Sequence, residues 1–150
     1  MTVTAKAGDS SEQREAEAWL INALAEELGI NLIKRKWPLE NGSWIELDGF
    51  CETPLILCEV WAHFGPPKSA QKHKVMMDAF KLLFANDTLF SSQGKCILLF
   101  ADKDATLHFQ GTSWMAQCLK KYNITIKVKE LPSELKEKVL MAQERQGRQR

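Results

Sequence analysis

Very little in this chain points to the common ligand chemistries. It has no Gly-x-Gly-x-x-Gly and no Gly-Lys-Ser/Thr after a strand-like segment, which excludes a Rossmann or P-loop nucleotide site. The four cysteines (Cys51, Cys58, Cys96 and Cys118) form no Cys-x-x-Cys pair, arguing against a zinc ribbon and a disulfide framework. Cys58, Cys96 and Cys118 lie in apolar surroundings and read as small hydrophobes. No apolar run approaches the roughly 20 residues of a membrane span. The opening MTVTAKAGDSS lacks the apolar core of a signal peptide, so the cytoplasm is the expected compartment. No sign of charge dominates either: 20 Lys and Arg against 19 Asp and Glu leave a net charge of +1, so the chain as a whole is not a polyanion binder. There is no internal repeat and no low-complexity segment.

What is present is an ordinary globular composition, 45% hydrophobic and 26% charged over 150 residues, enough for one domain with a real core. That domain is expected to span residues 10–146, between a loose tail at 1–9 and a basic tail at 147–150. Ser10 and Gln13 fit a capping box opening a helix to Leu28, closed by Gly29. Its apolar stripe is Ala16, Leu20, Ala23, Leu24 and Leu28, with Glu17 inside the stripe. A strand follows over Ile30–Trp37, then an Asn41-Gly42 turn, then two strands at Trp44–Phe50 and Leu55–Ala62. Ser69 is read as the cap of a helix over Ala70–Ala85, with Val75, Met76, Ala79, Leu82 and Leu83 inward. Lys74, Asp78 and Lys81 then line the solvated face, while Lys72 turns inward in the first turn. Lys95–Ala101 is continuously apolar and predicts a central strand. Thr112 or Ser113 caps a helix to Tyr122, Ile124–Lys129 alternates as a half-wet strand, and Pro132 opens a last helix to Gln146. The order α-β-β-β-α-β-α-β-α predicts a mixed sheet with helices on both faces.

Three acids stand where a core should have none. Asp48 lies in the first apolar strand of the central pair, Glu59 in the second, and Glu17 on the inner face of the first helix. Ionised carboxylates are rarely buried unless paired or bound to metal. If the two strands pair as a hairpin, Asp48 and Glu59 converge, and hard oxygen ligands suit Mg²⁺ or Mn²⁺. The bland account has Asp48 closing an Asp-Gly turn with Gly49 and Glu59 in water. By strand parity His63 shares the Glu59 face.

A helix with an inward Glu, a hairpin bearing Asp and Glu, and a following helix and β-α-β half resemble the PD-(D/E)XK, or restriction-endonuclease-like, nuclease superfamily. The likeness covers roughly residues 11–130 and rests on Glu17-Ala18-Trp19-Leu20-Ile21, Asp48-Gly49 and Cys58-Glu59-Val60-Trp61. The resemblance implies metal-dependent phosphodiester hydrolysis in nucleic acid, DNA rather than RNA. Asp48, Glu59 and the Val60 carbonyl would hold Mg²⁺ (or Mn²⁺), with Glu17 as a direct or water-mediated ligand. The lysine of the family's Glu-x-Lys element is replaced here by Trp61. Lys72 is expected to take its place, with Lys74 second and His63 third. Lys68 and Lys74, joined by Lys34, Arg35 and Lys36, would contact the phosphate backbone. Such nucleases often act as homodimers, so a second copy is an expected partner.

Two competing readings follow from Trp61 and from the five tryptophans. One is a catalytically degenerate nuclease-fold domain that binds nucleic acid without metal. The other is a small α/β protein-interaction module that never touches nucleic acid, since Trp is favoured at interfaces.

Overall fold

The structure is a computed structural model that describes residues 10–148. The expected tail at 1–9 and the last two residues of the basic tail lie outside the described residues. The first helix, α1 (Ser11–Leu28), starts where Ser10 Oγ accepts from the Gln13 N–H at 3.1 Å. It ends at Gly29, whose left-handed φ of 66° costs a glycine nothing. Three strands follow: β1 (Ile33–Pro38), β2 (Trp44–Cys51) and β3 (Ile56–Trp61). Next come α2 (Ser69–Phe90), β4 (Lys95–Phe100), α3 (Lys103–Gln110), α4 (Trp114–Lys121), β5 (Thr125–Val128) and α5 (Ser133–Arg148).

The sheet order is β1-β2-β3-β4-β5, with the first three strands antiparallel and β3, β4 and β5 parallel. Alternation along β3 divides the core. Ile56, Cys58 and Val60 pack toward α1 and α5 together with Ile97 and Leu99. Leu57 packs toward α2, α3 and α4 with Leu98 and Phe100. Strand β4 is buried on both faces from Cys96 to Phe100, as its unbroken apolar run predicts. Each fully buried Leu or Phe there contributes about 1.5–3 kcal/mol, so β3 and β4 form a stiff floor on which the polar residues of β3 are held. Among the described residues no helix is long and apolar enough to cross a membrane.

Two helices depart from expectation. Helix α3 has no counterpart in the predicted order; Asp102 caps it by accepting from the Asp104 N–H. Its eight residues are too few to show a helical period. Helix α2 starts one residue early, after Lys68 rather than Ser69, and reaches Phe90 rather than Ala85. It is also rotated. Asp78, expected in solvent with Lys74 and Lys81, is buried beside Val75, Ala79, Leu82 and Ala85. Met77, Phe80 and Phe84 take the outer face instead, Phe80 being 69% exposed. Apolar residues occur almost all round this helix, so periodicity alone did not orient it. The partners that α2 meets on the sheet did.

Candidate functional site

The three acids of the sequence are set by where β2 and β3 part. These strands pair at Cys51↔Ile56, Phe50↔Leu57 and Gly49↔Cys58, and the pairing ends there. Asp48 is the next residue on β2. It is therefore no turn residue: Asp48 and Gly49 both lie inside the strand. Gly49 has a packing role, since a Cβ there would come within 2.8 Å of the Ile21 side chain of α1. Its absence lets α1 lie close on the hairpin. One turn before Ile21, Glu17 then faces the cleft that Asp48 also lines.

At the fork, Asp48 replaces the missing ladder partner. Its Oδ2 accepts from the Val60 N–H at 3.0 Å. In an extended strand the N–H and C=O of one residue leave from the same edge, so the Val60 carbonyl also faces the opening. The next carbonyl leaves from the other edge, toward β4, with which β3 is paired throughout: that of Trp61 accepts from the Ala101 N–H at 3.3 Å.

Glu59 points toward α2 and is only 2% exposed. Its carboxyl meets that of Asp48, and Lys81 of α2 forms an ion pair with Oε1. Lys81 both neutralises and hydrogen-bonds this carboxyl, which also hydrogen-bonds Asp48. Burial, and then the adjacent Asp48, push the Glu59 carboxyl up to about 10, against a weaker pull from Lys81. The pair of acids thus holds a proton at neutral pH. Burial lowers the Lys81 ammonium, but Glu59, Asp48 and Asp78 overcome it and the net shift is upward. Asp78, one turn before Lys81, is raised by burial, against the opposing effects of Lys74 and Lys81. Its Oδ1 accepts from Lys74 Nζ at 2.6 Å.

The cation at Glu59 is therefore Lys81, which sequence reasoning assigned to the solvated face. The candidates put forward for that role sit elsewhere. Lys74 reaches only Asp78 and stands one residue out from the acids. Lys72 makes no contact with the acids; its charge is felt by His108 of α3, whose imidazole burial and then Lys72 hold below its usual value. His63 lies past the end of β3, so strand alternation stops before it. It stacks on Trp61 with 4.0 Å between ring centroids, and it hydrogen-bonds Gln13 of α1 at 3.2 Å. Trp61 itself packs against the α2-side core. The signal for Lys81 was weak: it required reading Asp78 as an inward member of the Val75, Ala79, Leu82 stripe, against the rule that charges face water.

Glu17 shares a cleft of about 230 Å³ with Arg14, Lys34 and Asp48, floored by Ile21 and Leu32. The cleft thus joins two acids to two cations at its rim. Lys34 is the residue within the irregularity of the β1–β2 register between Ile33 and Arg35. The extra residue lies on β2, where Asp48 and Gly49 together stand opposite Lys34, and Lys34 reaches Glu46 at 3.8 Å as well as the cleft. Among the described residues no three His, Cys, Asp or Glu side chains gather as a metal site. Asp48 and Glu59 meet as a pair, and Glu17 borders them without completing a trio. Comparison with protein-family models, with curated proteins and with solved structures returns no match to this chain.

Proposed function

We propose that this protein is a cytoplasmic, Mg²⁺- or Mn²⁺-dependent nuclease of the PD-(D/E)XK type, hydrolysing phosphodiester bonds in DNA more than RNA. One observation carries the reading: Asp48, Glu59 and Lys81 come together at the point where β2 and β3 separate and backbone groups face an opening. The missing lysine of the Glu-x-Lys element, lost to Trp61, is supplied in space by α2.

The residues fit a hard divalent cation. Asp48 and Glu59 bring hard carboxylate oxygens together at the fork, and the Val60 carbonyl faces the same gap as Asp48. Mg²⁺ commonly takes one or two carboxylates and keeps several waters, so a pair without a third acid suffices. Asp48, Glu59 and the Val60 carbonyl would hold it, with Glu17 one water away. When bound, the ion supplies Lewis-acid stabilisation and a water of lowered pKa. The chain's own contribution is electrostatic and geometric. The Val60 N–H fixes the Asp48 carboxylate. Lys81 presents a cation where phosphate charge grows, in a site that backs onto apolar core. Arg14 and Lys34, at the rim of the cleft, hold backbone phosphates without reading sequence.

The test is cleavage of duplex, single-stranded and branched DNA, and of RNA, with Mg²⁺ or Mn²⁺. Loss of activity in Asp48→Ala and in Glu59→Ala supports the proposal. Wild-type rates in the double variant refute it.

The degenerate-site reading is favoured by one feature, the depth of Glu59 and its retained proton. It predicts nucleic-acid binding that is indifferent to metal and to both substitutions. A second copy of the chain as partner is supported by the outer face of α2. In an antiparallel pairing of two such helices about Phe80, Met77 meets Phe84 of the other copy and His73 meets its Asp87, all of them exposed. That face is self-complementary in both apolar and charged positions.

A further inference from the structure

The β1–β2 ribbon carries a face that continues outward from Asp48 and Lys34 to residues not yet given a role. Along β2, Trp44, Glu46 and Asp48 share one face, opposite to Ile45 and Leu47, which are buried toward α2. Lys36 lies directly across from Glu46, so it belongs to the same face. Lys34, two residues before Lys36 on β1, shares that face by alternation and reaches Glu46 and the Asp48 cleft. Arg35 goes to the other side, with its guanidinium over the Trp37 and Phe50 rings. The cationic residues of β1 are thus divided, two of three facing the side where Asp48 opens.

This face is bare at its far end. Helix α1 lies on β3 and β4 rather than on the outer half of the ribbon. Trp44 is 58% exposed there, and the Lys36 ammonium lies over its ring, 4.1 Å from the centroid. A flat indole at a strand end, held by Lys36 and followed by Lys34, with Glu46 engaged by Lys34 and Asp48 at the far end, is the composition of a single-strand track. Bases stack on aromatic rings while ammonium groups follow the phosphates. At about 3.3 Å per residue, Trp44 stands roughly 13 Å from Asp48, room for a few nucleotides of extended strand.

We propose that Trp44, Lys36 and Lys34 form a subsite for unpaired nucleic acid that leads into the Asp48–Glu59–Lys81 centre. A base stacks on Trp44 and successive phosphates pass Lys36 and Lys34. The ligand is a single-stranded polynucleotide segment, DNA or RNA. Inside a duplex every base is stacked on both sides and has no free face to offer the indole, so only the terminal pairs could compete. As a route to a catalytic centre the subsite rests on the nuclease reading; as a binding site it does not.

The experiment is fluorescence anisotropy of end-labelled oligo-dT, oligo-U and a mixed-sequence duplex of equal length, without divalent metal so that no strand is cut. The wild type should bind a single strand more tightly than the duplex. Trp44→Ala should weaken single-strand binding about tenfold, the scale of one lost stacking contact, while Trp44→Phe keeps most of it. Lys36→Ala and Lys34→Ala should each reduce the slope of log affinity against log salt by roughly one. The oligo-dT and oligo-U arms separate DNA from RNA as the source of the strand. Equal affinity of wild type and Trp44→Ala for both single strands, or duplex bound as tightly as single strand, overturns the subsite. Neither outcome depends on cleavage. If Trp44→Ala lowers binding but no metal-dependent cleavage is found, the nuclease reading fails and the subsite stands.

Discussion

Replacing Glu59 by glutamine should make the protein more stable at neutral and alkaline pH. In the unfolded chain this carboxyl ionises near 4.5; in the fold, burial and then Asp48 keep it protonated up to about 10. Between those limits the native state binds a proton that the unfolded state has released. Stability therefore falls as pH rises, by up to about 1.4 kcal/mol per pH unit. Lys81 acts over a different range. Its raised pKa contributes stability that is fully present below about 10.5 and is lost only as pH climbs through the higher folded value. From pH 6 to pH 8 the Glu59 contribution amounts to at most about 3 kcal/mol, opposed at the acid end by His108, whose folded imidazole is held below the unfolded 6.5; that is a large share of the roughly 5–15 kcal/mol that holds a domain together. Glutamine is nearly isosteric and does not ionise, and the partly exposed Lys81 can turn to water. Urea unfolding at pH 6, 7 and 8 should give a Glu59→Gln advantage that widens with pH. A Glu59→Gln protein at least 3 kcal/mol less stable than wild type at every pH, with an unchanged slope, would refute the reasoning. That is the cost of breaking a buried ion pair, and it would mean that Glu59 is ionised against Lys81.

Three further outcomes follow from the same geometry. In the cleavage assay Lys81→Ala should lower kcat by roughly 10²–10³-fold, the range for losing one preorganised charge-stabilising group, whereas Lys72→Ala and Lys74→Ala stay within a few-fold of wild type. Because a divalent cation must displace the shared proton, Mn²⁺ affinity by calorimetry should rise about tenfold per unit between pH 6 and 8. The heat should vary with the ionisation enthalpy of the buffer, and a pH-independent affinity would contradict a protonated pair. Finally, Phe80→Glu, at a 69% exposed position, should convert a dimer to a monomer in sedimentation with an unchanged circular dichroism spectrum. A wild type that is monomeric at tens of micromolar would exclude the α2 pairing.

Much of this chain was legible before folding was considered. The capped helix at Ser10–Gly29, the doubly buried strand at Lys95–Phe100 and the strand at Thr125–Val128 follow from local chemistry, because caps and periods of 3.6 or 2 are properties of adjacent residues. The sequence alone also singles out Asp48 and Glu59: acids inside apolar strands stand out without any knowledge of their neighbours, and both proved to lie at one fork. Only the tertiary structure decided which cation meets them. Lys81 is separated from Glu59 by a loop and most of α2, and the apolar residues of that helix wrap nearly all the way round it, so no periodic signal gave its rotation. The rotation is set by the sheet, where burying Val75, Ala79, Leu82 and Ala85 and pairing Lys81 with Glu59 outweigh the cost of burying Asp78 and of leaving Met77, Phe80 and Phe84 in water. His63 illustrates the same point from the other side. Alternation placed it with Glu59, but β3 ends at Trp61, and past a strand end only packing says where a side chain goes.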